Sequence, residues 1–289
     1  MRYSRPEALL NAASLAKIID NSDVSIIDGS FYLPQANRDV RKDFQEAHIP
    51  GSIFFDINEV ADVSTSLPHM LPDPEIFAEK VGKLGISNQD HVVCYDTNNG
   101  AMAAMRVFWT FKVFGHEKLS VLEGGLNSWR QQGYEVSNKQ TPIAPTNYIS
   151  RTANQALVRS IEQVIENLGT NAEQFVDVRS SGKFLATEPE PRPDLRSGHI
   201  PGSLNLPFQK IFDPKNGGRI LTAEKLIHLI SNAGIDPSKP IIASCGSGVT
   251  AAVLYFSLYL LGYDTAAIYD GSWTEWASRD DTPIISNSD

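Results

Sequence analysis

One internal repeat limits what this chain can fold into more than any single motif does. His48-Ile49-Pro50-Gly51-Ser52 returns as His199-Ile200-Pro201-Gly202-Ser203. Upstream of each copy runs a β-branched stretch ending in Asp: Val24-Ser25-Ile26-Ile27-Asp28 and Gln174-Phe175-Val176-Asp177. Downstream, Leu122-Glu123-Gly124-Gly125-Leu126-Asn127-Ser128-Trp129 is matched by Ile268-Tyr269-Asp270-Gly271-Ser272-Trp273-Thr274-Glu275-Trp276. The landmarks keep offsets of about 147 to 151 residues, so the repeating unit is a whole domain. A length of 289 residues agrees with two domains at roughly 150 residues each.

Inside each unit short apolar runs alternate with helical patterns, which predicts an α/β fold: a mainly parallel sheet flanked by helices on both faces. Strands are expected near 25–28, 53–55, 91–95 and 118–122, and again near 175–178, 203–206, 240–244 and 266–269. Helices are expected over 14–20, 73–84, 101–114, 160–167, 223–233 and 250–261, with Gly115 and Gly262 where a helix would end. The domains then span 1–140 and 157–289, joined by a proline-containing linker over 141–156 that lies across one domain surface.

Composition excludes several functions. A net charge of −9 without a basic stretch argues against nucleic acid or an anionic membrane as partner. No apolar run reaches the roughly 18 residues of a membrane span. The first twenty residues lack a signal-peptide pattern, and two cysteines cannot build a disulfide framework. A cytoplasmic, monomeric protein is expected. Neither cysteine has metal-ligand spacing, so no metal and no cofactor is expected.

The chemistry concentrates in Ile241-Ile242-Ala243-Ser244-Cys245-Gly246-Ser247-Gly248-Val249-Thr250-Ala251-Ala252, a buried-strand run feeding a glycine-rich turn that opens an apolar helix. Free amides of such a loop, together with the positive end of the helix, stabilise an anion on the sulfur. Gly246, Gly248, Val249 and Thr250 complete the amide ring, Thr250 also being placed to cap the helix. Aligning the units sets Asp96 against Cys245. A carboxylate can be held by amides but cannot act as a sulfur nucleophile, so the first unit is inactive. Cys94, in the middle of an apolar strand, reads as core. His48 and His199 recur in both units and read as structural, while Trp273 and Trp276 read as core or cleft wall. Cys-based phosphatases need an Arg closing a loop of Cys, five residues and Arg; Ala251 stands there, which argues against that class.

The HIPGS repeats, the Cys-Gly-Ser-Gly-Val-Thr loop and the Tyr-Asp-Gly-Ser-Trp-Thr-Glu-Trp segment resemble the tandem-domain rhodanese superfamily, and within it the branch that uses 3-mercaptopyruvate. The resemblance implies two rhodanese-like domains, catalysis by the second, and a persulfide on Cys245. In the thiosulfate-using branch the two positions after the cysteine are typically basic. Gly246 and Ser247 are neutral and favour a donor with one carboxylate and a thiol. The segment from Gly182 to Arg192 resembles one in which the family uses two arginines to hold the donor; Arg192 matches, and Lys183 departs from the pattern. The resemblance further implies a proton relay through Ser247 and His69, oriented by Asp62 or Asp56. It makes a thiol such as reduced thioredoxin, or cyanide, the acceptor. The alternatives are a thiosulfate sulfurtransferase and a non-catalytic rhodanese-like binding or sulfur-carrier module.

Overall fold

The computed structural model describes residues 2–33, 36–98, 102–192 and 194–286. Two sheets of five parallel strands form, one per repeat. The first joins β1 (Leu9–Leu10), β2 (Val24–Asp28), β3 (Ile53–Phe54), β4 (His91–Tyr95) and β5 (Leu119–Leu122) in the order β1-β5-β4-β2-β3. The second joins β6 (Val158–Arg159), β7 (Gln174–Asp177), β8 (Leu204–Asn205), β11 (Ile241–Ser244) and β12 (Ala266–Tyr269) in the order β6-β12-β11-β7-β8, position for position the same. A small hairpin, β9 (Phe212–Asp213) and β10 (Arg219–Ile220), stands apart in the second domain.

Parallel strands need long crossovers, and helices supply them. These are α1 (Ala12–Ala16), α2 (Val40–Glu46), α3 (Pro74–Lys83), α4 (Ala103–Val113) and α5 (Gly125–Gln131) in the first domain. In the second they are α6 (Ile161–Thr170), α7 (Ser181–Phe184), α8 (Ala223–Asn232), α9 (Ala251–Leu261) and α10 (Ser272–Ala277). The helix expected at 14–20 starts earlier and is shorter, because the Asn11 side chain accepts from the Ser14 amide and caps it there. The expected start of the 101–114 helix at Ala101 lies outside the described residues. The repeated motif has one structural job in both halves. His48 Nδ1 pairs with the Phe44 carbonyl at 2.7 Å and His199 Nδ1 with that of Phe184 at 2.7 Å, each ring stacked on that phenylalanine. Gly51 and Gly202 share a φ of +76°, a left-handed turn that a side chain would strain.

The domains meet through equivalent helices. α9 is apolar on every side because one face covers its own sheet and the other packs on α4. Phe108 and Phe256, each sixth in its helix, meet edge to face at 4.9 Å, both fully buried and worth about 1.5–3 kcal/mol apiece. Residues 146–154 run over the first domain, with Tyr148 buried between Phe77 and His116 and the Thr146 amide on the Gly82 carbonyl. The chain start crosses to the second domain, where Arg5 grips Asp264 with a two-pronged ion pair and the Ser4 amide bonds the Leu260 carbonyl.

Candidate active site

In open α/β sheets ligands bind beyond the carboxyl ends of strands where the winding reverses. In the second domain that place lies between β11 and β7, since the chain leaves β7 toward β8 and leaves β11 toward β12. A cavity of about 300 Å³ opens there, with Cys245 in its wall. Cys245 is only 2% exposed, so its sulfur is reached from the cavity rather than from bulk solvent. Gly246, Ser247, Val249 and Thr250 line the same cavity, as do Lys183 and Arg192. The first domain closes it with Phe31, Leu33 and Met102. The sequence-predicted binding residues therefore converge, and Gly248 belongs to the loop between them.

The loop is held from outside. The Gly246 carbonyl accepts from the Thr274 amide at 2.9 Å and its hydroxyl at 2.6 Å, and the Cys245 carbonyl accepts from the Trp273 amide at 3.0 Å. The Cys245 amide donates to the Ser272 hydroxyl at 3.2 Å. Among the described residues, the amides from Gly246 to Thr250 donate to no protein acceptor, which leaves donors for an anion on the sulfur. Gly248 has φ +75°, and a Cβ there would lie 2.8 Å from the Asp270 carbonyl and 2.9 Å from Arg106 Nη1. Thr250 does not cap α9 through its side chain, because its backbone is already helical.

The equivalent loop in the first domain is filled by its own side chain. Asp96 is fully buried; its Oδ1 accepts from the Asn98 amide at 2.9 Å and its Oδ2 from the amides of Met102 and Ala104 at 3.2 and 3.0 Å. Its carbonyl accepts from the Leu126 amide just as that of Cys245 does from Trp273, which fixes the equivalence of the two positions. Cys94 is a buried core residue whose thiol burial pushes up.

Arg192 donates to the Thr274 hydroxyl at 2.9 Å, so one threonine joins the cation to the loop carbonyl. Lys183 opens onto the cavity from α7 and lies 3.7 Å from Glu188, a half-exposed pairing that a substrate anion can compete with. The segment is anchored by Glu190, which Arg179 grips at 2.7 Å; Arg179 also forks onto Asp177 and lies 4.1 Å over the Trp273 ring. Desolvation raises the Glu190 carboxyl against the pull of Arg179.

The relay with Asp62 does not form. Asp62 Oδ1 is taken by the amide and hydroxyl of Ser64, and His69 Nδ1 is buried with no hydrogen-bond partner among the described residues. Asp56 is engaged by Arg41 and by the Asn58 amide. His69 stands beside the cavity, its ring edge-on to Phe31 at 4.7 Å. Burial first, then the charges of Arg106 and Arg192, push its imidazole down to about 3, so it is neutral at physiological pH. Thr274, Arg179 and Arg106 escaped the sequence reading. A charge at the fourth position of α4, among residues that are buried on both sides of it and where α9 carries Leu254, is a signal that could have found Arg106.

This arrangement is the site of a thiol-based, rhodanese-type domain, and the chain belongs to the rhodanese family: the rhodanese-like domain matches residues 11–132 and 160–279. It is 42% identical to human 3-mercaptopyruvate sulfurtransferase, with 89% of this chain and 86% of that one covered. It is 41% identical to rat thiosulfate sulfurtransferase, covering 94% and 92%. The crystal structure of the 3-mercaptopyruvate sulfotransferase SseA from Escherichia coli superposes with a TM-score of 0.82 at 35% identity, covering 92% of this chain and 98% of that one.

Proposed function

We propose that this chain is a 3-mercaptopyruvate sulfurtransferase with Cys245 as sulfur carrier. The observation that carries the proposal is a shielded thiol in a cavity with unspent loop amides, neutral Gly246 and Ser247 beside it, and a wall in which Arg179, Lys183 and Arg192 face Glu188 and Glu190. One carboxylate suits the single positive charge that this balance leaves. Relatives of similar identity bear both donor names, so the neutral loop is what favours mercaptopyruvate over thiosulfate.

In the reaction the Cys245 thiolate attacks the donor sulfur. The carbon–sulfur bond breaks, and its electron pair goes to the carbon as the enolate of pyruvate, with Arg192 and Lys183 on the carboxylate and keto oxygen. The donor's thiol proton moves to the enolate carbon, leaving pyruvate and a Cys245 persulfide anion facing the loop amides. Ser247, buried in the cavity wall, is the proton carrier; a neutral His69 does not store that proton as imidazolium. The outer sulfur then passes to a thiol such as reduced thioredoxin, or to cyanide. Two free cysteines suit a reducing, cytoplasmic setting.

Pyruvate release from mercaptopyruvate, compared with thiocyanate formation from thiosulfate, tests the donor; the first is expected to exceed the second by at least about tenfold in kcat/KM. Intact mass after mercaptopyruvate should gain one cyanide-removable sulfur, absent in Cys245→Ser. Equal pyruvate release by Cys245→Ser would overturn the proposal.

A further inference from the structure

The inactive domain reaches into the active loop through one side chain. Arg106, fourth in α4, is buried in the domain interface with 3% of its side chain exposed. Its Nη1 lies 2.7 Å from Asp270 Oδ1 and 3.3 Å from the Gly248 carbonyl, which it donates to; its Nη2 donates to the His69 carbonyl at 2.5 Å. Asp270 follows β12, and its other oxygen accepts from the Leu71 amide at 2.8 Å. The guanidinium also stacks over Trp109 at 4.4 Å. One cation thus joins a loop of the first domain, a loop of the second, and the carbonyl three residues after the nucleophile.

Peptide geometry gives that last contact a consequence. In a trans peptide the C=O and the following N–H point in opposite directions. Holding the Gly246 carbonyl on Thr274 therefore turns the Ser247 amide away from Thr274, and holding the Gly248 carbonyl on Arg106 turns the Val249 amide away from Arg106. Ser247 and Val249 both line the cavity with Cys245. The first domain displays the result with a ligand in place: the Asn98 amide, two residues after Asp96 as Ser247 is after Cys245, donates to the Asp96 carboxylate at 2.9 Å.

We propose that Arg106 is a positioning residue for sulfur transfer at Cys245: by holding the Gly248 carbonyl it aims the Val249 amide at the anion that forms on the sulfur. The proposal rests on Cys245 being the sulfur carrier. It gives the domain without a nucleophile a part in the reaction, and a lysine cannot take that part because a single ammonium is a point charge where the guanidinium reaches two carbonyls and a carboxylate on separate loops.

Two variants test it. Arg106→Lys keeps the buried charge and the ion pair with Asp270. The double variant Arg106→Met with Asp270→Asn removes both charges together, so no buried ion is left alone, and Asn can still accept from the Leu71 amide. Pyruvate release, thermal unfolding and persulfide mass are measured beside the wild type. Both variants should fold, bind mercaptopyruvate with KM within about threefold of wild type, and lose roughly 100-fold in kcat, the lower end of what is lost with one oriented donor to a developing anion. Wild-type kcat in either folded variant overturns the proposal. So does a loss carried mainly by KM, which marks Arg106 as serving donor binding. Unfolding of both variants overturns it too, since the residue then serves the fold. A wild type that forms neither pyruvate nor persulfide shows instead that the assignment of Cys245 has failed.

Discussion

The loop after β4 and the loop after β11 share a place in the strand order and a first-residue carbonyl bonded to the helix that follows the next strand. They differ in what occupies the cradle. Asp96 brings its own negative charge, and the amides of Asn98, Met102 and Ala104 are spent on it; Cys245 brings a thiol, and among the described residues its loop amides find no protein acceptor. The fold therefore supplies a place for an anion, and one side chain decides whether that place is filled permanently or offered to chemistry. A second contrast lies one strand away. Asp28 has Ser30 two residues on, and its buried Oδ2, near Tyr95, meets hydrogen-bond geometry with no partner among the described residues. Asp177 has Arg179 there, which also anchors Glu190 and so braces the segment carrying Arg192.

The largest effect should come from making the Cys245 loop resemble the Asp96 loop. Cys245→Asp should lower pyruvate release by more than about a thousandfold, since no sulfur is left to accept the transfer. Thermal unfolding should stay at or above the wild-type midpoint, because the carboxylate takes up the amides that Asp96 satisfies next door. An unfolded product would break the equivalence of the two loops.

Next in size are two substitutions of opposite sign. Asp177→Asn takes one of two carboxylate partners from a buried guanidinium that keeps Glu190, and should cost about 1.5–3 kcal/mol in urea unfolding. Asp28→Asn should stabilise. Burial, first among the causes, raises the Asp28 carboxyl to about 6 from the ordinary 3.8. The folded state then holds a proton that the unfolded chain has released, so wild-type stability falls as pH rises through that window. The D28N gain should reach about 1–2 kcal/mol at pH 7–8 and vanish below about pH 4. Matching signs for the two would mean that Arg179 does not distinguish the two strand ends.

The smallest effect concerns the rim. Lys183→Arg should leave the mercaptopyruvate KM unchanged or lower it by about two- to threefold, because a fork replaces a point charge. A rise with the fold intact would show that the lysine suits another donor.

The strands over 91–95 and 266–269, the long helices and the Cys245 loop were legible because each carries its own local pattern. Strands β1 and β6 were not: two residues each, they exist only because β5 and β12 offer an edge. Helices α2, α5, α7 and α10 were also missed, being short and held by neighbours. In the site, Cys245, Arg192 and Lys183 sit in contiguous motifs, whereas Arg106, Thr274 and Arg179 act through partners distant in the chain, 142 residues away for Arg106 and Gly248 and 82 for Thr274 and Arg192. Asp62 is a different case: the family resemblance offered it beside Asp56 as a carboxylate to orient His69, and in the structure its Oδ1 accepts from the amide and hydroxyl of Ser64.

The contact of Phe108 with Phe256 is a surface meeting its own likeness, the arrangement expected when two separate copies of one module pair face to face. Carrying both copies on a single polypeptide makes that pairing independent of how much protein the cell holds. Each copy is then at liberty to specialise, one keeping the sulfur and the other contributing a wall and a charge.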